Sequence, residues 1–322
     1  MGAWSHTGRR TTIPRANEPE NFILDLRFRK CTFFLLRKRK TSGGHEVPRL
    51  CGTAFAVSAG LDGHEMGEPE WAGGIDYAVT AAHVVKNTLA SEELYLRINV
   101  VDGSSVEIPV HVSTWKYHPI TDVAVCPVDW PKDKQLDVMT IPVTRLPRGP
   151  EGVYSNRVGE GEEVIVCGLL TSFPGSKRIQ PIIRTGKIAL MPYEKMLIEV
   201  DRKTTRNVDA YLLEMISWPG LSGSPIIVYP DRNPSNSRSF DYLLPYLLPG
   251  LVHGSLEYDK EVKFSREHTT VRLGSGIVVA IPGESIRTVL MDDPELRIQR
   301  MELFELAKLE RKPVATPRSN EV

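Results

Sequence analysis

The feature that most constrains this chain is a series of short apolar runs separated by turn residues. They are Cys31–Leu36, Gly52–Val57, Tyr77–Thr80, Leu94–Val101, Val106–Val112, Val123–Val128, Val164–Leu170, Pro181–Leu190, Met196–Val200, Ala210–Met215, Pro225–Tyr229, Leu251–His253 and Gly276–Ile281. Most are too short to make a helix, and Gly, Pro, Asp and Ser cluster between them. Val, Ile, Phe and Tyr are frequent within them, and such side chains fit the pleated surface of a strand. Many short strands at this spacing predict an all-β chain of sandwich or barrel type. Helical periodicity is convincing only in Glu284–Met291 and Pro294–Glu310. In the second, Leu296, Ile298, Met301, Leu303, Phe304, Leu306 and Leu309 recur among charged residues, with an irregular stripe. That helix is expected to pack on its own domain.

The chain has 322 residues, and 40 basic residues balance 40 acidic ones. The length fits two domains or one large β domain. Zero net charge removes the electrostatic support that a nucleic-acid or membrane-surface protein usually needs, so neither partner is expected. No stretch approaches the roughly 18 apolar residues of a membrane span. Arg9-Arg10 is followed by no apolar segment, so no signal peptide is expected and the location reads as cytoplasmic. Cys31, Cys51, Cys126 and Cys167 form no C-x-x-C pair and no zinc spacing. Free thiols in a reducing compartment are the expectation, although an even number leaves two disulfides open. There is no H-E-x-x-H, P-loop or G-x-G-x-x-G after a strand; His64-Glu65 lacks a second histidine, and His111 and His118 have no partner cysteines. No metal and no cofactor are therefore expected. Residues 1–21 read as a mobile polar arm, 131–160 as a connection, and 311–322 as a disordered tail.

Three segments carry chemistry. In Tyr77–Val85 a strand ends in Thr80-Ala81-Ala82 and His83 follows at its exit. In Tyr117–Val125, Asp122 opens an apolar strand. In Trp218–Val228, Ser222 sits in a Gly-rich turn, Gly220-Leu221-Ser222-Gly223-Ser224-Pro225, that runs into an apolar strand. Each alone has a bland reading: a core histidine, a turn aspartate, an ordinary loop. Jointly they supply what acyl transfer needs, a hydroxyl, a base to take its proton and a carboxylate to orient that base. Glycines beside Ser222 let the turn aim the amides of Gly220 and Ser222 at one developing oxyanion.

In that order the segments resemble those of the chymotrypsin-like (trypsin-like) serine peptidases. T-A-A-H at Thr80–His83, D-V-A-V at Asp122–Val125 and G-x-S-G-S-P at Gly220–Pro225 match the family's three motifs, with Ser224 where many members have a second glycine. Leu50–Val57 resembles the strand before the histidine, Gly250–Ser255 the strand lining the cleft, and Gly274–Met291 the last strand and closing helix. The resemblance implies two packed six-stranded antiparallel barrels with a C-terminal helix. Residues 22–130 would form the first barrel, with His83 and Asp122. Residues 131–158 would link it to the second, 159–291, with Ser222, and residues 292–322 would follow as helix and tail. It implies a serine endopeptidase acting on polypeptides, with His83, Asp122 and Ser222 catalytic and Gly220 and Ser222 forming the oxyanion hole. Val84 follows His83, where secreted digestive members carry a bridging cysteine, so bacterial HtrA-like or intracellular members are nearer. Leu221 precedes the serine where zymogen-activated members have aspartate, and too few residues follow 291 for a PDZ-like domain.

Met215, Ile216 and Ser217 stand where the resemblance puts the base of the specificity pocket, with His253, Gly254 and Ser255 on the cleft strand. None of the first three is charged, so the expected P1 residue is small and apolar, or acidic through His253. Pro230–Pro249 and Glu257–Arg272 read as insertions near the cleft, either ordinary surface loops or elements that gate it or bind a regulatory protein. Two other readings compete. An α/β-hydrolase using Ser222, Asp241 and His268 needs a βαβ rhythm that is lacking here. A catalytically silent or partner-activated module of the same fold would bind peptides or scaffold a complex.

Overall fold

Phe33, Phe34, Leu35 and Leu36 are consecutive, so a strand carrying them must bury both faces. All four are buried in the computed structural model, which describes residues 28–40, 45–61, 74–89, 92–149, 158–201, 204–229, 246–264 and 267–310. The expected arm at 1–21, most of the 230–249 insertion, Asp241 and the tail at 311–322 lie outside the described residues.

A short helix α1 (Phe28–Cys31) leads into β1 (Thr32–Lys40), β2 (Glu46–Gly60) and β3 (Gly74–Thr80). The helix α2 (Ala82–Lys86) follows, then β4 (Glu92–Asn99), β5 (Ser105–Val110), β6 (Lys116–Tyr117), β7 (Ala124–Pro127) and β8 (Ile141–Pro142). These strands form one eight-stranded sheet in the order β5-β4-β1-β2-β3-β7-β6, with β8 added parallel to β2. Among the described residues this sheet is open, since its ends β5 and β6 do not pair, and the closed six-stranded barrel expected for the first half is not formed by them. β6 offers only two residues, and Pro109 on β5 has no N–H to give. The stretch at 131–160 also does more than connect. Ile141 pairs with Val57, and Ile141, Val143 and Leu146 are buried in the first half's core.

The second half holds β9 (Glu163–Gly168), β10 (Ile182–Leu190), β11 (Met196–Asp201), β12 (Thr204–Val208), β13 (Tyr211–Glu214), β14 (Pro225–Val228), β15 (Leu247–Phe264) and β16 (Glu267–Pro282). Six of them close into a barrel in the order β10-β13-β16-β15-β14-β9. Successive side chains on a strand point to opposite faces. Val164, Val166, Tyr211, Leu213, Ile226, Val228, Val278 and Ala280 fill the barrel. Their neighbours Ile165, Ile227, Val279 and Ile281 point outward and join the core of the first half, with Phe33, Phe55 and Val79. The unbroken apolar runs are thus strands clamped between two cores.

β11 and β12 form a separate hairpin whose Ile198, Val200 and Val208 also reach the larger core. The loop expected at Glu257–Arg272 is instead an extension of the β15–β16 hairpin, paired from Glu257↔Gly274 to Phe264↔Glu267. Helix α3 (Gly283–Asp292) and helix α4 (Pro294–Glu310) end the described chain. On α4 the irregular stripe has a cause: Arg300 is buried and donates to the Tyr77 hydroxyl at 3.1 Å and to the Met291 carbonyl at 3.2 Å. It ties the helix to β3 and to the carbonyl end of α3. Ile298, Met301, Leu306 and Leu309 remain exposed. No helix among the described residues is long and apolar enough to cross a membrane, and no disulfide joins the four cysteines.

Candidate active site

β3 delivers Thr80 and then Ala81, whose extended backbone starts α2 without any side-chain cap. A helix N-terminus leaves its first amides unbonded, so something else must meet them. Asp122 does: its Oδ1 accepts the His83 amide at 2.8 Å. Its Oδ2 lies 2.6 Å from His83 Nδ1. One carboxylate therefore caps the helix and fixes the ring that the helix carries. With the proton on Nδ1, the Nε2 lone pair is left as the basic position.

Asp122 is fully buried, at 0% exposure. Burial pushes its pKa up, but the charge on His83 and hydrogen bonds from His253 and His83 outweigh it, and the carboxyl lies below its ordinary value. The preceding loop is held by His118, whose Nδ1 accepts the amides of Ile120 at 3.2 Å and Thr121 at 2.9 Å. Burial lowers the pKa of His118, which keeps the ring an acceptor.

Ser222 lies on the turn entering β14. Gly220 and Gly223 have φ of +107° and +86°, which favours glycine at both. At Gly223 a Cβ would also stand 2.1 Å from the Thr53 carbonyl oxygen. Among the described residues nothing accepts the Gly220 or Ser222 amide, while Gly223 donates to Val252 and Ser224 to Leu221. The two amides assigned to an oxyanion are therefore unengaged among the described residues. The Ser222 hydroxyl donates to the His253 carbonyl at 2.8 Å rather than to His83.

His253 was expected on the wall of a substrate cleft. The register of β15 against β16 slips between Val252 and Gly254, and a bulge there re-aims the side chain. Its Nδ1 lies 2.5 Å from Asp122 Oδ2, and its ring stands edge-on to His83 at 5.3 Å between centroids. His253 so links the serine turn, through its carbonyl, to the carboxylate, through its ring. The ligand-type atoms of His83, Asp122 and His253 all fall within 4.8 Å of one another. Two ligands of a tetrahedral zinc stand about 3.3 Å apart, so the 2.5 and 2.6 Å separations are those of hydrogen bonds.

The other expected pocket residues differ in exposure. Met215 is buried, Ile216 is 65% exposed, and the space beside Gly254 is open. Ser217 and Ser255 are half-buried. Two contributors escaped the sequence. Arg184 donates to the Ile216 carbonyl at 3.2 Å and stands 5.7 Å from the Trp218 ring. Only strand pairing could have brought a residue 32 positions away to Ile216. Thr53, 0% exposed, pins the serine turn. Its hydroxyl accepts the Leu169 amide at 2.8 Å and donates to the Gly220 carbonyl at 2.7 Å, and its amide donates to the Ser222 carbonyl at 2.9 Å. Thr53→Val leaves a buried donor and an acceptor unpaired, at about 1–3 kcal/mol each. Denaturant unfolding is expected to show a loss of about 2–4 kcal/mol, with Thr53→Ser near wild type; an unchanged Thr53→Val would contradict this pinning role.

No protein-family model matches the chain, and no curated protein matches it in sequence. Among solved structures it is similar to the crystal structure of Deg5, at 13% identity over 82% of this chain and 90% of that one, with a TM-score of 0.44. It is also similar to the active form of the Rv3671c protease from M. tuberculosis, at 12% identity over 90% and 93% of the two chains, with a TM-score of 0.42. The inactive form of that protease gives 13% identity over 83% and 90%, with a TM-score of 0.41.

Proposed function

We propose that the chain is a serine endopeptidase. Ser222 Oγ attacks the scissile carbonyl, and His83 Nε2 takes its proton and then hands it to the leaving amine. Asp122 holds the imidazole in the required tautomer and balances the imidazolium. The amides of Gly220 and Ser222 receive the oxyanion, each worth about 3–4 kcal/mol of barrier. Water then enters by the same steps in reverse and releases the acyl group.

The observation that carries this reading is the joint arrangement of Asp122 and His83 with a serine turn that keeps two amides unengaged. The Ser222 hydroxyl must exchange the His253 carbonyl for His83 Nε2 when substrate binds, and unliganded sites commonly tighten in this way. The test is a fluorophosphonate probe on the purified chain. Adduct formation on Ser222, abolished by His83→Ala, is expected. Labelling that survives His83→Ala, or none at Ser222, contradicts the reading and favours a silent peptide-binding module.

Arg184 brings positive charge to the Ile216 carbonyl, so a cationic P1 side chain is disfavoured beside it. A peptide-library cleavage profile is expected to show small apolar or acidic P1 residues. Dominant Lys or Arg would contradict that preference.

A further inference from the structure

A carboxylate oxygen has two lone-pair directions, and each takes one N–H. On Asp122 Oδ2 both are directed at imidazoles: His83 Nδ1 at 2.6 Å and His253 Nδ1 at 2.5 Å. Oδ1 takes the His83 amide at 2.8 Å. Three donors thus converge on a side chain with no access to water. Without His253, one lone pair of a buried anion would face no donor, and the carboxylate would be held from the His83 side alone. That loss is costly in a dry site and frees the carboxylate to turn.

We propose that His253 is a positioning residue, whose ring takes the second lone pair of the Asp122 oxygen that His83 also holds and so keeps the carboxylate in line with the catalytic imidazole. This rests on the peptidase reading for its catalytic consequence. It also moves the His253 side chain from the substrate wall to the support of the triad. The bulge between Val252 and Gly254 makes both of its contacts possible, since the same residue presents its carbonyl to Ser222 and its ring to Asp122.

A positioning role and a substrate contact separate in steady-state kinetics. His253→Leu is expected to lower kcat by about 100-fold, as losses of an orienting partner do, with KM within about twofold. His253→Asn, whose amide N–H can reach the carboxylate, is expected to keep kcat within about 10-fold of wild type. Both variants retain the main-chain carbonyl that accepts Ser222. A raised KM with kcat preserved in His253→Leu would make His253 a substrate contact, and unchanged kinetics would give it no role; either overturns the inference.

Proton NMR of the full chain reads the contact without turnover. Wild type is expected to show two strongly downfield imidazole N–H signals, both displaced in Asp122→Asn and one lost in His253→Asn. A single such signal in wild type, or a second that ignores Asp122→Asn, overturns the inference even if His253→Leu does not fold. A wild type with both signals that never labels at Ser222 overturns the peptidase reading and the catalytic role together, and leaves only the contact.

Discussion

Ser222→Ala is expected to lower kcat on any cleaved peptide by about 10⁶-fold and to leave the fold intact. The size follows from the division of labour. Without the hydroxyl no acyl-enzyme forms, and the residual rate is what the oxyanion amides and substrate binding give to water alone. Stability barely moves, because the hydroxyl makes one hydrogen bond, to the His253 carbonyl, from a half-buried position. Such a bond contributes about 1 kcal/mol, so Tm is expected to fall by no more than about 4 °C. Residues that act as a unit are not additive, so adding His83→Ala to Ser222→Ala should cost almost nothing further. A second large loss on that background would mean that the two side chains work independently, and the triad assignment would fail.

Asp122→Asn is expected to lower kcat by about 10⁴-fold, as loss of the tautomer-fixing carboxylate does in such triads. An amide has one acceptor atom where this site needs two, for the His83 amide and for two rings. Whichever way it turns, its NH2 faces a donor, and α2 loses its cap or the rings lose their acceptor. A stability loss of about 2–4 kcal/mol accompanies the kinetic one. Its pH dependence is fixed in sign. Asp122 lies below its ordinary value of 3.8, so its contribution is fully present above that value and disappears as pH falls through the lower folded value. The stability gap between wild type and Asp122→Asn should therefore narrow on acidification below about pH 4. Denaturant unfolding across pH measures it, and a gap that widens in acid contradicts the assignment of a buried, ionised Asp122.

The candidate site was legible in the sequence where a local setting restricts the residue type. His83 needed a strand exit built from Thr80-Ala81-Ala82, and Ser222 needed glycines at positive φ on either side. The buried strands were legible because both faces are covered, which leaves apolar runs such as Ile226-Ile227-Val228. β12 was hidden because four of its five residues, Thr204-Thr205-Arg206-Asn207, are polar. The β15–β16 extension was hidden because a two-stranded arm carries charge along its length and reads as a loop. Closure of the first sheet could not be judged from runs alone, since it turns on whether β5 and β6 pair at the far ends of the order. Thr53, Arg184 and the ring of His253 share one reason for escaping: their roles come from partners far along the chain, 131 positions away for His253 on Asp122, 116 for Thr53 on Leu169 and 32 for Arg184 on Ile216. No local spacing encodes such meetings. His253 was visible as a residue near the cleft, but the bulge that redirects it was not.

The central claim is that Ser222, His83 and the amides of Gly220 and Ser222 act on one reacting carbonyl. A crystal structure of the chain after reaction with a peptidyl phosphonate tests it most directly. The account predicts phosphorus bonded to Ser222 Oγ, one phosphoryl oxygen about 2.7–3.1 Å from both amides, and His83 Nε2 facing the adduct while Nδ1 stays on Asp122. Phosphorus on another side chain, or an adduct on Ser222 whose oxygen points away from both amides, would contradict it.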